Sequence, residues 1–275
     1  MKWIIISTII YFSTIISAVE FSAPMKWHCE GYLFKFIPRT ERHFVEGLMD
    51  NSIDLVSMEF SDKIRVNFYI RSAIWTGMGY QCEDVIFDPR DMHYSLAPGL
   101  RGKLWNYSLT FQWLHDCFHE VDRKDEPTTI WNIFELRFSP QKFLSENRNH
   151  LYRARGESKS IKIFPSIDWE IFAGAFPKLK SPSWFQYKHS FSSHFGGNLD
   201  IGIFQYKNLA LEFDYQPIFW TKHGGGICQR QYLQFAITFF AKDGTFSFFY
   251  GYNAYENQPL RPTNRQARIG FDLKL

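Results

Sequence analysis

From residue 19 onward the chain reads as short segments in which apolar and polar side chains alternate. In 64–70, Ile64, Val66, Phe68 and Ile70 fall on one side, and Arg65, Asn67, Tyr69 and then Arg71 on the other. In 209–215, Leu209, Leu211, Phe213 and Tyr215 oppose Ala210, Glu212 and Asp214. In 231–239, Leu233, Phe235, Ile237 and Phe239 oppose Tyr232, Gln234, Ala236 and Thr238. The final segment sets Ala267, Ile269, Phe271, Leu273 and Leu275 against Arg268, Gly270, Asp272 and Lys274. A period of two puts successive side chains on opposite faces of a strand, whereas a helix needs repeats of three and four. Weaker alternation predicts further strands at 31–37, 53–60, 72–81, 105–116, 130–138, 160–166, 167–176, 184–193, 198–207 and 244–252. The expected fold is all-β: an up-and-down antiparallel transmembrane barrel of about 12 strands, within a range of roughly 10 to 14.

Turn chemistry separates the segments. Lys242-Asp243-Gly244 and Gly196-Gly197-Asn198 read as tight turns. The stretches 84–103, 140–159 and Asn257 to Asn264, the last with Pro259 and Pro262, read as longer connections. Short turns alternating with longer loops are what an up-and-down barrel requires, and segments of about 9 to 11 residues suit tilted strands through a hydrocarbon layer. No internal period of about 20–50 residues repeats, which argues against a propeller or solenoid. Beyond residue 18 no apolar stretch is long enough for a spanning helix, so a membrane form of this chain has to be a closed sheet.

The first residues predict an export signal over 1–18. Lys2 supplies the positive start, Ile4 to Ile16 the apolar run, and Ser17-Ala18 the small residues before cleavage. The remainder, 19–275, then forms a single β-barrel domain. Aromatic residues make up 19% of the chain, with 29 Phe, 14 Tyr and 9 Trp. Several are banked near segment ends, as in Trp105-Asn106-Tyr107, Trp184 to Tyr187 and Phe249-Tyr250-Gly251-Tyr252. Membrane barrels place such residues in girdles at their water interfaces. A mean hydropathy of −0.28 is compatible with this, because half of each strand would face a polar lumen. With 31 basic and 28 acidic residues and no basic stripe, nothing points to a nucleic-acid partner.

Two architectures share this alternation: a soluble β protein with its apolar face inside, and a membrane barrel with that face outside. The Phe, Leu and Ile faces with terminal aromatics favour the second. The C-terminal strand resembles those of bacterial outer-membrane β-barrel proteins, which end in alternating apolar residues, as Ile269, Phe271, Leu273 and Leu275 do here. The resemblance is to the class as a whole and to no particular family. It implies residence in the bacterial outer membrane, contact with outer-membrane lipids, and insertion machinery that reads the C-terminal strand. Leu275 stands where the class usually has an aromatic residue.

If the barrel encloses its polar face, Arg65, Arg71, Glu135, Arg137, Glu212, Asp214, Arg268 and Asp272 line its lumen, either as a channel surface or as ion pairs that fill it. The densest polar cluster runs from His115 to Asp122. On a strand, His115, Cys117 and His119 share one face and could hold a transition metal. The competing reading is a polar strand end with Cys117 in a disulfide. A second cluster, His189, Ser192 and His194, offers the residue types of a serine hydrolase, but not the order that the outer-membrane phospholipase family uses, His then Ser two residues on. Cys29, Cys82, Cys117 and Cys228 allow three disulfide pairings or free thiols. Gly224-Gly225-Gly226 reads as a flexible loop and not a phosphate loop, and no cofactor motif is present. The expected role is that of a non-enzymatic outer-membrane barrel, whether pore, small-solute transporter or structural envelope component. The alternatives are an outer-membrane lipid or lipopolysaccharide hydrolase and a soluble secreted β-sheet binding protein.

Overall fold

The strict two-residue alternation needs a continuous sheet with two chemically different faces, and the chain folds as one. The structure is a computed structural model that describes residues 19–40, 42–80, 87–121, 128–140, 161–177, 191–241, 243–258 and 263–275. Its strands are β1 (Glu20–Ser22), β2 (Lys26–Ile37), β3 (Val45–Ser61), β4 (Ile64–Tyr80), β5 (Phe87–Leu104), β6 (Tyr107–Glu120), β7 (Thr129–Pro140), β8 (Lys162–Ala175), β9 (Phe191–Tyr206), β10 (Leu209–Lys222), β11 (Ile227–Phe240), β12 (Thr245–Glu256) and β13 (Ala267–Lys274). From β2 to β13 each strand pairs antiparallel with the next, and β13 returns to pair with β2, so the sheet closes. β1 and β2 pair with successive stretches of β3, Ser57–Glu59 and Val45–Asp54 respectively. They therefore occupy one position, interrupted where Met25 takes a left-handed φ of 45°. The result is a 12-stranded antiparallel barrel in which every strand from β2 to β13 is paired on both sides, the arrangement that satisfies backbone groups without water, while the short β1 pairs with β3 alone.

The apolar face is outside. Phe235, Ile237 and Phe271 are 48%, 47% and 41% exposed. Their strand neighbours point inward, among them Gln234, Thr238 and Asp272, all buried. On β4, Phe68 lies on the outer wall while Asn67 and Tyr69 are buried inside. One end of the barrel carries short turns, Asp62–Lys63, Trp105–Asn106, Lys207–Asn208 and Ala241–Gly244, together with the C-terminal Leu275. At the other end β2 is followed by β3, β4 by β5, β6 by β7, β8 by β9, β10 by β11 and β12 by β13. Ala241 donates its N–H to the Gly244 carbonyl at 2.9 Å, closing the turn expected at Lys242-Asp243-Gly244.

Several expectations are corrected. The stretch 84–103 is mostly strand, since β5 runs through it. Its Pro89, Pro98, Gly99 and Gly102 mask the alternation, yet Pro98 is accommodated: the β5–β6 pairing skips from Leu96–His115 to Gly99–Gln112 around this residue, which has no N–H to give. Gly196-Gly197-Asn198 is not a turn but lies inside β9. A Cβ on Gly196 would sit 2.5 Å from the Pro217 carbonyl oxygen, and one on Gly197 2.8 Å from that of Glu170, so these glycines serve close strand approach. The segments 160–166 and 167–176 share one strand, β8, with a bulge between Ile163 and Ser166 where Phe164 has a φ of 48°. The barrel strands of β2 to β12 span 12 to 18 residues, longer than expected, because their ends extend past the alternating cores. The Gly224-Gly225-Gly226 run is a hydrogen-bonded turn, with Gly225 donating to the Lys222 carbonyl and Lys222 to that of Gly226, both at 3.1 Å. The proposed export signal, 1–18, lies outside the described residues, as do the aromatic run Trp184 to Tyr187 and, but for Pro140 at the end of β7, the connection expected at 140–159.

Candidate functional site

Closing the sheet gathers the polar face of every strand around one axis. The interior holds a cavity of about 700 Å³. It reaches from Cys29, Ser108, Thr245 and Leu275 near the turn end to Asp116, Trp220, Glu256 and Gln258 near the loop end. Among the described residues its lining includes eleven carboxylates, against six Arg or Lys side chains. The interior is therefore acidic, although the whole chain carries a formal +3.

A hydrogen-bonded strip crosses the middle of this wall. Tyr69 on β4 donates its hydroxyl to Gln112 Oε1 on β6 at 2.6 Å. Gln112 Nε2 donates to Glu135 Oε1 on β7 at 2.6 Å. Arg137 Nε donates to the same Glu135 oxygen at 2.5 Å, and its Nη1 donates to Glu170 Oε1 on β8 at 2.8 Å. His194 Nε2 on β9 lies 2.9 Å from Glu135 Oε2. Tyr69, Gln112 and Glu135 are each only 1% exposed. A carboxylate that far from solvent needs compensating partners. Glu135 has a guanidinium, a side-chain amide and an imidazole.

Other charges are matched locally. Arg71 Nε donates to both Asp50 oxygens, at 2.9 and 3.0 Å. Asn67 bridges Ser57 and Asp54, each at 2.9 Å, and Arg101 approaches Asp54 at 3.7 Å while lying over the Tyr69 ring. Arg268 is surrounded by rings, with Phe34, Phe36 and Tyr232 at 4.9, 5.3 and 5.2 Å. Lys274 reaches Glu30 at 2.8 Å and Asp272 at 3.6 Å. Near the loop end, His93 Nε2 lies 2.6 Å from Asp116 and its ring stacks on Trp75 at 4.5 Å. Arg42 from the β2–β3 connection donates to Glu120 on β6 at 3.0 Å, tying that connection to a strand beyond β4 and β5.

Of the residues read from the sequence as lumen-lining, Arg71, Glu135, Arg137, Glu212, Asp214, Arg268 and Asp272 line this cavity. Arg65 lies toward the β3–β4 turn and is not part of the lining. Gln112, Asp50, Arg101 and Glu170 line the cavity as well, without a motif that marks them in the sequence. Strand parity could have found Gln112, which shares a face with Thr110 and Leu114, but Asp50 and Arg101 lie in stretches whose alternation is weak or hidden by Pro and Gly.

The two polar clusters do not meet inside. Ser192 sits at a β9–β10 irregularity, where its hydroxyl and that of Ser193 both contact Thr221 Oγ1, at 2.7 and 2.6 Å. His194 turns inward to Glu135 and rests against Phe172 and Phe176. His189 lies outside the described residues. His115, Cys117 and His119 are on the outer wall, since Gln112, Leu114, Asp116 and Phe118 on the same strand take the inner face. His115 Nδ1 lies 3.0 Å from Asn132 Oδ1 on β7. Cys117 Sγ lies 3.1 Å from His119 Nε2, and His119 Nδ1 lies 2.9 Å from Thr128 Oγ1. Among the described residues no group of three or more His, Cys, Asp and Glu is arranged to hold a metal. Cys117 is a free thiol rather than half of a disulfide, as are Cys29 and Cys228.

Solved structures to which the chain is similar include outer membrane phospholipase A from Escherichia coli, at 11% identity, covering 90% of this chain and 89% of that one, with a TM-score of 0.49. The outer-membrane expressed OmpT of Vibrio cholerae is another, at 6% identity, covering 93% and 96%, with a TM-score of 0.41. A porin is a third, at 8% identity, covering 93% and 100%, with a TM-score of 0.32. No family model matches the chain, and no curated protein matches it.

Proposed function

We propose that this protein is a bacterial outer-membrane barrel that passes water and small cations through a narrow, acidic lumen. The reading proceeds from the closed 12-stranded sheet, whose outer wall is apolar. A wall of exposed Phe, Ile and Leu is stable in acyl chains and a liability in water. The observation that carries the transport reading is the cavity of about 700 Å³ with its excess of carboxylates. At about 30 Å³ per water it has room for on the order of 20 molecules, a filament of solvent and not a wide pore. Ion pairs such as Arg71–Asp50 and Arg137–Glu135 narrow it, and the remaining negative charge favours cations along it.

Planar-bilayer recording tests this. Purified protein in a salt gradient should give a small conductance with a reversal potential of cation-selective sign. A silent bilayer containing folded protein would leave a structural barrel as the better reading. Fractionation tests the location separately: the protein should stay with outer-membrane pellets through a carbonate wash and show heat-modifiable migration.

A further inference from the structure

The outer wall carries a feature that a conduction path does not use. Near the loop end, where apolar side chains such as Phe111 and Phe134 would be expected to continue, β6 presents Cys117 and His119, and the chain entering β7 presents Thr128. Cys117 Sγ is 3.1 Å from His119 Nε2, and the other ring nitrogen of His119 is 2.9 Å from the Thr128 hydroxyl. The His119 ring is also held edge-on by Tyr94 at 5.6 Å between centroids. A thiol in contact with an imidazole that a third polar group orients is the arrangement of an activated nucleophile. All three residues are half-buried, none of them enclosed within the wall.

We propose that Cys117, His119 and Thr128 form an acyl-transfer site on the lipid-facing surface, with the acyl ester of a membrane lipid as substrate. The placement selects the substrate. The site lies between the exposed apolar band, represented by Leu96, Trp113 and Phe134, and the loop end of the barrel. Ester carbonyls of membrane lipids sit at that same boundary between chains and headgroups. It rests on the membrane placement proposed above and is independent of conduction.

The chemistry balances within these residues, the ester and one water. In the tautomer with the proton on Nδ1, His119 donates to Thr128 Oγ1 and its Nε2 accepts the thiol proton of Cys117. The sulfur adds to the ester carbonyl carbon, and the carbon–oxygen bond to the lipid alcohol breaks. The imidazolium returns the proton to that leaving oxygen, leaving an S-acyl cysteine. Water, deprotonated by His119, then adds to the thioester carbonyl. The carbon–sulfur bond breaks, a fatty acid leaves, and the sulfur regains its proton. Tyr94 is the cross-strand partner of Cys117. Its hydroxyl donates to Met92 Sδ at 3.2 Å, a weak acceptor that a developing oxyanion could displace.

The experiment uses the full chain refolded in detergent, with heat-modifiable migration confirming a closed barrel in every variant. Protein is mixed with phosphatidylethanolamine micelles in one arm and lipopolysaccharide micelles in the other, and quenched in acid. Mass spectrometry should find one hydroxylamine-labile acyl group on Cys117, and free fatty acid should accumulate in the arm that holds the true substrate. Cys117→Ala should abolish both signals. His119→Ala should slow acylation by about 100-fold or more, the contribution of a positioned base, and Thr128→Val by about tenfold. A folded barrel that never acquires an acyl group on Cys117 would overturn the proposal, as would acylation that His119→Ala leaves unchanged. Recovery of the protein in the soluble fraction of cells would remove the membrane reading instead, leaving the micelle result to judge the thiol chemistry.

Discussion

Glu135 and His194 lie 2.9 Å apart, yet they belong to strands that are not neighbours: β8 runs between them, and its Gly174 pairs with both. The contact exists because that intervening position has no side chain. A Cβ on Gly174 would stand 2.4 Å from His194 Nε2 and 2.8 Å from Ile133 Cγ2. Gly174→Ala should therefore displace His194 and destabilise the barrel by about 1–3 kcal/mol, the usual cost of forced overpacking. Urea unfolding in detergent, followed by gel migration, measures it.

Glu135→Gln tests the centre of the interior strip. The amide keeps the shape but removes the charge that Arg137 and His194 face at 1% exposure. Breaking a buried pair on one side typically costs about 3–5 kcal/mol. The value here should fall at the low end of that range, because Arg137 retains Glu170 at 2.8 Å. The same unfolding assay reads it.

Selectivity should follow the lining charge. Glu212 and Asp214 line the cavity on β10. The double variant Glu212→Gln with Asp214→Asn should lower the cation-to-anion permeability ratio by about twofold or more, through loss of local negative potential. Reversal potentials in a salt gradient compare it with the parent.

Arg42 and Glu120 tie the β2–β3 connection to β6 across the loop end. Arg42→Ala should raise single-channel conductance by freeing that crossing, while shifting stability by no more than about 1 kcal/mol, as for other part-exposed pairs. Conductance and unfolding midpoint, measured on the same preparation, separate the two effects.

The outer wall predicts a dependence on depth. Phe235 is near the middle of β11 and Ile227 is at its end, both exposed. In a bilayer, Phe235→Arg should cost about 2–4 kcal/mol and Ile227→Arg only about 0–1 kcal/mol. Equal penalties would speak against acyl chains around this wall.

Alternation along single strands determined the all-β class and which side of each strand is ionic, and it put the strand number near 12. These depend only on the two-residue period of an extended chain, which any one segment displays without its neighbours. Arg71, Arg137, Glu212 and Arg268 could be assigned to the polar face on that ground alone. Partners could not be assigned, because pairing depends on register and on contacts between strands far apart in the chain: Tyr69 with Gln112, Glu135 with His194, Arg42 with Glu120. Strand boundaries at Pro98, Gly196 and Gly197 were likewise hidden, because residues that end strands in isolation are accommodated here by a neighbouring strand. That Cys117 and His119 share a face was legible from strand parity, but the inward turn of His194 and the outward placing of Cys117 and His119 were decided by closure of the sheet, which alone determines what lies inside a wall and what lies on it.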